Sequence, residues 1–192
     1  MPRIETKTLA QHRDWRRQQL INAAVSIAME SGGSGVSVSA VAQRAGISRT
    51  SVYEYFSSSA DLVADLIIEE LSSFAKVLEL AVGECSEPYS CIESWIVGAL
   101  RYIADGRHIL AKALNSTSLP QDRGAEIAAA HRALLAPLTK GLTSMGVKDI
   151  SQALAYIQAT TDTATKRIEA GHDAEAEIKS ATAFCISGLA QL

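Results

Sequence analysis

The sequence predicts an all-α protein, with an N-terminal head of three helices followed by a larger helical body. Residues that favour helices, among them Ala, Leu, Glu and Gln, are abundant, and alternating runs of β-branched residues are scarce. Apolar residues recur at helical spacing in most segments of the chain. Glycine and proline, which end helices, separate these segments. Together, the three patterns indicate a fold built from helices.

The composition is that of an ordinary globular protein. With 192 residues, 47% of them hydrophobic and 20% charged, the chain can bury a core without disulfides or metals. We expect Cys85, Cys91 and Cys185 to be reduced thiols, because no C-x-x-C pair or metal-ligand spacing occurs. The sequence shows no signal peptide and no apolar run of the roughly 20 residues that a membrane span needs. We therefore expect a cytoplasmic protein with no membrane segment, metal or cofactor.

An apolar stripe at helical spacing predicts the first helix of the head. The stripe consists of Leu20, Ile21, Ala24, Ile27 and Ala28. The glycines of segment 32–35 should end this helix, because glycine readily adopts the left-handed conformation found past helix ends. Residues 1–12 precede the stripe, and the general behaviour of chain termini predicts a flexible arm there.

Two short helices follow, and capping residues mark where they begin. Ser37 is placed to cap the first, which we expect to run to Ala45. Gly46 provides the turn between the helices. Ser48 is placed to cap the second, which we expect to run through Phe56.

The body begins with a long helix. Segment 58–61, Ser-Ser-Ala-Asp, has the pattern of a capping box and predicts a helix from Ala60 to near Gly83. Five further helices are expected at about 88–104, 107–114, 121–145, 149–171 and 174–190. Pro137 lies inside the third of these and is expected to kink or split it.

Residues 37–56 have the pattern of a helix-turn-helix, in which the first helix braces a second that presents a polar outer face. Val52 and Phe56 are four residues apart and should face the core. The outward set is then Arg49, Thr50, Tyr53 and Glu54. Residues 1–56 carry seven arginines and lysines against four acidic residues, which suits contact with phosphate. A merely solvated helix pair is the alternative, but the turn spacing and the outward set favour DNA binding.

The outward residues match groups that double-stranded DNA presents. Arg49 lies near the N-terminus of the second helix, where an arginine can bond both acceptors of a guanine in the major groove. Thr50 can contact a thymine methyl group, and Glu54 can accept a hydrogen bond from a cytosine amino group. Tyr53 and Tyr55 can donate hydroxyl hydrogens to phosphate, and the N–H groups at each helix start also favour phosphate.

The segment from Arg17 to Leu66 resembles the DNA-binding domain of the TetR family of repressors. The resemblance rests on the Ala-Gly-Ile-Ser turn at 45–48, Ser-Val-Tyr at 51–53 and Tyr-Phe at 55–56. It implies phosphate contacts from residues 37, 53 and 55 and base contacts from residues 49, 50, 51 and 54, with Ser39 as a further contributor. The candidate DNA-binding residues are thus Ser37, Ser39, Ser48, Arg49, Thr50, Ser51, Tyr53, Glu54 and Tyr55. Serines at 57–59 stand where the family usually has a lysine, which implies one phosphate contact without a positive charge.

The resemblance also suggests how the chain is divided. We expect a DNA-binding domain at residues 1–56 and a ligand-binding and dimerisation domain at residues 57–192. By resemblance, the last two helices form a four-helix bundle with a second subunit; the alternative is that their apolar stripes face only their own core. The candidate dimer residues are Leu154, Ile157, Thr161, Ala164, Ala181, Phe184, Cys185 and Gly188.

The middle helices carry the candidate ligand-binding residues, which are Trp95, Tyr102 and Tyr156. By resemblance, this region encloses a pocket for a small molecule, and aromatic walls suit a largely apolar ligand. Each of these residues is equally well explained as an ordinary core aromatic.

The sequence therefore predicts a homodimeric transcription regulator that binds a palindromic operator in double-stranded DNA. We expect a repressor that is released by an unidentified small, largely apolar effector. One alternative is a DNA-binding regulator controlled by a partner protein without a small-molecule effector. The other is an all-α enzyme, which we do not expect, because no catalytic triad, nucleotide-binding loop or metal motif occurs in the sequence.

Overall fold

The computed structural model describes residues 9–83, 85–114 and 123–191, and in these ranges the fold is all-α, as the sequence predicts. No strand occurs within them. The helices are α1 (Leu9–Ser31), α2 (Val38–Ala45), α3 (Arg49–Tyr53), α4 (Ser59–Val82), α5 (Pro88–Ala104), α6 (Ile109–Leu114), α7 (Gly124–Ser144), α8 (Ile150–Glu169) and α9 (Ala174–Leu189). None of these helices is long and apolar enough to cross a membrane.

The described residues form two compact units, and their boundary differs from the expected division at residue 56. The first unit runs to Glu70 and also includes Ile109–Ile127, whereas the second comprises Leu71–His108 and the residues from Ala128 onward. The reason lies in the core of the first unit. Leu62 and Leu66 of α4 and Leu114 of α6 are fully buried in that core, so these segments pack with the head.

The core of the first unit is built on the apolar stripe of α1. All five residues of the predicted stripe are buried, together with Val38, Val41 and Ala42 of α2. The arm expected at residues 1–12 needs a correction, because α1 begins at Leu9 and residues 9–12 are helical. Residues 1–8 lie outside the described part of the chain.

The third helix is shorter than the sequence suggested. We expected it to run through Phe56, but α3 ends at Tyr53. The carbonyl of Val52 accepts hydrogen bonds from the N–H groups of both Tyr55 (3.0 Å) and Phe56 (3.1 Å), which closes the helix in a tight turn. Phe56 still reaches the core, where it is fully buried.

The second unit packs the rest of α4 with α5, α7, α8 and α9. Its fully buried side chains include Leu78, Ile92, Ile96, Leu100, Leu138 and Leu142. Gly141 of α7 allows a close approach to α5, since a Cβ there would lie 3.0 Å from Ile92 Cγ1. Pro137 does not split α7, which is one helix across that position. Aspartates cap the last two helices: Asp149 accepts from the N–H of Gln152 and Asp173 from that of Ala176.

The expectation of three reduced cysteines is wrong for two of them. Cys85 and Cys91 form a disulfide, with their Cα atoms 5.5 Å apart. Cys85 lies in the connection between α4 and α5, and Cys91 lies in the first turn of α5. The two cysteines come together where this connection folds back to start α5. Cys185 is a free, buried thiol, and burial raises its pKa.

Candidate nucleic-acid interface

Serine caps define the starts of α2 and α3, as the sequence predicts. The Oγ of Ser37 accepts a hydrogen bond from the N–H of Ala40, and the Oγ of Ser48 accepts one from the N–H of Ser51, both at 3.1 Å. Gly46 lies between the helices with φ 68°, a left-handed conformation that favours glycine. The hydroxyl of Ser37 accepts in its cap and therefore keeps its own hydrogen to donate to a phosphate oxygen.

The short α3 has one apolar and one polar side. Val52 is fully buried, whereas Arg49, Thr50 and Tyr53 are exposed. Glu54, in the turn that follows, is exposed as well. The four residues expected to face outward therefore do so, which leaves their hydrogen-bonding groups accessible.

Four of the other predicted DNA-binding residues are less exposed, whereas Ser48 is exposed. Ser39, Ser51 and Tyr55 are half-buried, and the Oγ of Ser51 lies 3.0 Å from that of Ser48. Tyr55 packs against the core of the first unit, and the guanidinium of Arg13 lies 5.9 Å from its ring centroid. Arg13 was not among the predicted residues, since the sequence carries no local signal that brings α1 to Tyr55.

Two of the arginines that make the head basic are already paired with carboxylates. Arg44 forms two hydrogen bonds to Glu30, at 2.8 and 2.6 Å, and these join α2 to α1. This contact lowers the pKa of Glu30. Arg17 binds Asp65 of α4. By contrast, Arg49 makes no ion pair with any described residue, so it is available to an external acceptor.

The three serines after the helix-turn-helix fasten the start of α4. The Oγ of Ser58 accepts from the N–H of Asp61, as expected of a capping box, at 3.0 Å. The carboxylate of Asp61 accepts from the N–H of Ser57 at 2.9 Å and from its hydroxyl at 3.2 Å. The Oγ of Ser59 accepts from the N–H of Val38, the first residue of α2, at 3.0 Å. These serines thus tie α4 to the helix-turn-helix.

The predicted ligand-binding residues do not form one group. Trp95 is buried in the core of the second unit, where its Nε1 donates to the carbonyl of Leu134 at 3.1 Å. Tyr102 is buried and stacked on Phe74, with ring centroids 4.2 Å apart. Tyr156 is exposed on α8. Trp95 and Tyr102 therefore behave as core aromatics, and Tyr156 belongs to a different surface.

The predicted dimer residues also divide into two groups. Ile157, Thr161, Ala164, Ala181 and Cys185 are buried within a single chain. Their own chain covers much of this stripe because α9 packs against both α8 and α5, but Ile157 and Cys185 also line a groove between α8 and α9. Leu154 is half-buried, Gly188 is exposed, and the Phe184 side chain is 71% exposed.

The described residues of the second unit form an apolar groove and a further cavity. An apolar groove of about 450 Å³ runs between α8 and α9 and is lined by Tyr156, Thr160, Phe184 and Leu189, among others. A second cavity of about 390 Å³ lies between the disulfide and α7; Glu79, Val82, Pro137 and Lys140 are among its lining residues. Neither Trp95 nor Tyr102 lines either one.

Several solved structures are similar to this chain over almost its whole length. One of these structures is the fatty acid degradation regulator FadR from Bacillus halodurans, at 20% identity over 89% of this chain and 94% of that one, with a TM-score of 0.70. Another is the transcriptional regulator FadR from Bacillus subtilis in complex with stearoyl-CoA, at 23% identity over 89% and 98% of the chains, with a TM-score of 0.71. A third, the superantigen PfiT, has 16% identity, coverage of 88% and 95% and a TM-score of 0.76. Proteins with different descriptions thus share this fold, and the fold alone does not define a function.

The match that bears on function is local. Residues 20–66 match the family model described as bacterial regulatory proteins of the tetR family. They extend from α1 through both helices of the helix-turn-helix into α4. No curated protein gives a significant match to the chain. This match identifies residues 20–66 as a segment of the kind found in the bacterial regulatory proteins of the tetR family.

Proposed function

We propose that the protein is a homodimeric repressor that reads a palindromic operator through α3. The observation that carries this proposal is the position of Arg49, exposed in the first turn of α3 and free of any ion pair within the described residues. A guanidinium at that end of a recognition helix can donate two hydrogen bonds to a guanine edge. Thr50 and Tyr53 share the exposed side and supply further contacts to bases and phosphates.

The outer face of α8 and α9 supports a dimer. Phe184 and Tyr156 are large, exposed and beside the apolar groove of about 450 Å³. We propose that the same face of a second copy covers this groove. In a two-fold interface the same patch of both subunits is in contact, so each Phe184 would pack against the apolar α8–α9 face of the other copy. A symmetric dimer would hold its two recognition helices one helical turn of DNA apart, roughly 34–36 Å, or a multiple of that distance.

We further propose that a small, largely apolar ligand binds the second unit and lowers the affinity for DNA. The cavity of about 390 Å³ beside the disulfide supports this, since it combines apolar walls with two charged side chains, those of Lys140 and Glu79. The similarity to a regulator in complex with stearoyl-CoA makes an acyl chain with an anionic head a reasonable first candidate. Such a ligand can release DNA only if it binds the DNA-free form more tightly.

The DNA-binding proposal is tested by selecting duplexes from a random library with the purified protein. We expect an enriched palindrome whose half-sites are about one helical turn apart, or a multiple of it. The variant Arg49→Ala/Tyr53→Phe should enrich this palindrome more weakly and without a preference at one position of each half-site, while it stays folded by circular dichroism. Enrichment of no sequence by the wild type, or equal enrichment by both proteins, would contradict the proposal.

The ligand proposal is tested with Trp95 as the reporter. The chain has two tryptophans, so in a Trp15→Phe variant all tryptophan emission comes from Trp95. We expect stearoyl-CoA, or another acyl or aromatic compound in a panel, to change this emission and to release the selected duplex over the same concentration range. Coenzyme A without an acyl chain is the control and should do neither. If no compound releases the duplex, the proposal of a small-molecule effector is wrong, and control by a partner protein becomes the better explanation.

A further inference from the structure

Arg123 is at the centre of a cluster of charges in the first unit. Its guanidinium binds the carboxylates of Asp61 and Asp65 on α4, with an Nη2–Oδ1 distance of 2.6 Å to Asp65. It also makes paired contacts of 3.0 and 2.9 Å with Glu126, in the first turn of α7. Arg17 of α1 binds the other oxygen of Asp65. One arginine thus joins the starts of α4 and α7, and Asp65 extends the cluster to α1.

The centre of this cluster is largely shielded from water. The side chains of Arg123, Asp61 and Asp65 are only 17%, 20% and 14% exposed. The hydrogen bond to Asp65 contributes most to raising the pKa of Arg123. Burial by itself would raise the pKa of Asp61, but the N–H of Ser57 and the guanidinium of Arg123 outweigh it and hold that pKa below its usual value. Arg123 and Asp61 therefore stay charged, and removal of either one leaves the charge of the other shielded from water and without its partner.

The cluster is connected to the DNA-binding helices through hydrogen bonds. One oxygen of Asp61 binds Arg123, while the other accepts from the N–H and hydroxyl of Ser57. Ser57 directly follows Phe56, whose N–H closes the turn after α3. Two residues further on, Ser59 holds the first N–H of α2. The start of α4 therefore contacts the chain at the end of α3 and at the beginning of α2.

We propose that Arg123 is a positioning residue for DNA binding. By holding Asp61 and Asp65, it fixes the first turns of α4 and, through Ser57 and Ser59, the orientation of α3 relative to α2. This inference rests on the proposed function. Arg123 acts through Asp61 and does not contact DNA, because three carboxylates surround its guanidinium and would repel a phosphate.

The test is a double-mutant cycle on affinity for the duplex selected by the wild type. Arg123→Gln and Asp61→Asn remove the charges and keep a polar side chain, and Arg132→Gln, the matched control, removes an exposed arginine of α7, the helix that directly follows Arg123. We expect each of the first two variants to weaken binding about tenfold, an ordinary coupling for groups within one network. The double variant should bind no more weakly than the weaker single variant, because both changes break the same link. Arg132→Gln should bind like the wild type.

A second readout distinguishes positioning from a phosphate contact. The dependence of affinity on salt should have the same slope in Arg123→Gln as in the wild type, because no ion pair with DNA is lost. All measurements are made where circular dichroism shows full helicity. If Arg123→Gln does not fold, Arg123→Lys takes its place, since lysine keeps the charge but cannot form the paired contacts.

The outcomes separate the two proposals. Arg123→Gln binding as tightly as the wild type, losses that multiply in the double variant, or a salt slope lower by about one would each overturn the role of Arg123 and leave the proposed function intact. A wild type that prefers no duplex would overturn the proposed function, and the role of Arg123 with it.

Discussion

The Oγ of Ser59, in the first turn of α4, accepts a hydrogen bond of 3.0 Å from the backbone N–H of Val38, the first residue of α2. The first N–H groups of a helix have no partner within the helix. At the start of α2 they are satisfied from two sides: Ser37 takes the N–H of Ala40, and Ser59 takes that of Val38 from 21 residues along the chain. The start of α4, which follows the helix-turn-helix, thus holds the start of α2, the first helix of that motif.

Loss of this bond should destabilise the protein. In Ser59→Ala, the N–H of Val38 loses its acceptor in a part-buried position, and we expect the free energy of unfolding to fall by about 1–2 kcal/mol. Urea unfolding measures this. Ser180→Ala, at an exposed position of α9, is the control and should change the free energy by less than about 0.5 kcal/mol. Equal losses in the two variants would show that the bond contributes nothing.

Acid should remove the contribution of Asp61 to stability. The pKa of Asp61 is lower in the folded protein than its usual value, so its contribution is present above that usual value and disappears as the pH falls through the folded pKa. The free energy of unfolding should therefore be greater for the wild type than for Asp61→Asn at pH 7. The difference should shrink once the pH drops below about 4. A difference that stays constant from neutral to acidic pH would contradict this role.

The dimer face should be sensitive to charge at Phe184. Phe184→Asp places a carboxylate in the proposed interface without disturbing the core of the chain, because Phe184 is 71% exposed. We expect sedimentation to show a folded monomer that no longer binds the selected duplex. Leu80→Asp is the matched control, since Leu80 is an 81% exposed apolar residue of α4, and this variant should remain a dimer. A Phe184→Asp variant that stays dimeric would place the interface elsewhere.

The disulfide should be visible in a count of reactive thiols. Denatured without reductant, the protein should expose one thiol, that of Cys185, and after reduction all three cysteines. Replacing both partners by serine should cost about 2 kcal/mol of stability, the cross-linking entropy expected for so short a loop. Reductant should then lower the Tm of the wild type but not that of Cys85→Ser/Cys91→Ser. Three reactive thiols without reductant would rule out the bond.

Local signals in the sequence predicted the head well. The stripe of α1, the caps Ser37 and Ser48 and the turn at Gly46 each depend on residues within about one or two helical turns, and the structure contains all of them. The exposed side of α3 followed from the same periodicity. The end of α3 could not be predicted in this way. The carbonyl of Val52, which accepts from both Tyr55 and Phe56, ends the helix early without changing which residues are buried.

Features that depend on long-range packing were not predictable from the sequence. Periodicity shows that α8 and α9 carry apolar stripes but not how much of each stripe the chain itself covers: Ile157 and Cys185 are buried within one chain and also line the groove between the two helices. The contacts Ser59–Val38 and Arg123–Asp61 join residues 21 and 62 positions apart. The disulfide depends on how the α4–α5 connection folds back, for which the spacing of Cys85 and Cys91 gives no signal.

The most direct test of the central claim is the affinity of the wild type and of Arg49→Ala for the selected duplex, for single-position variants of it and for random DNA. We predict that the wild type prefers the selected duplex by at least about a thousandfold. Arg49→Ala should lose about 1–3 kcal/mol of binding free energy and should no longer discriminate at one base pair of each half-site, while Arg132→Ala binds like the wild type. Equal affinity of the wild type for selected and random DNA, or an Arg49→Ala variant with unchanged affinity and specificity, would contradict the account.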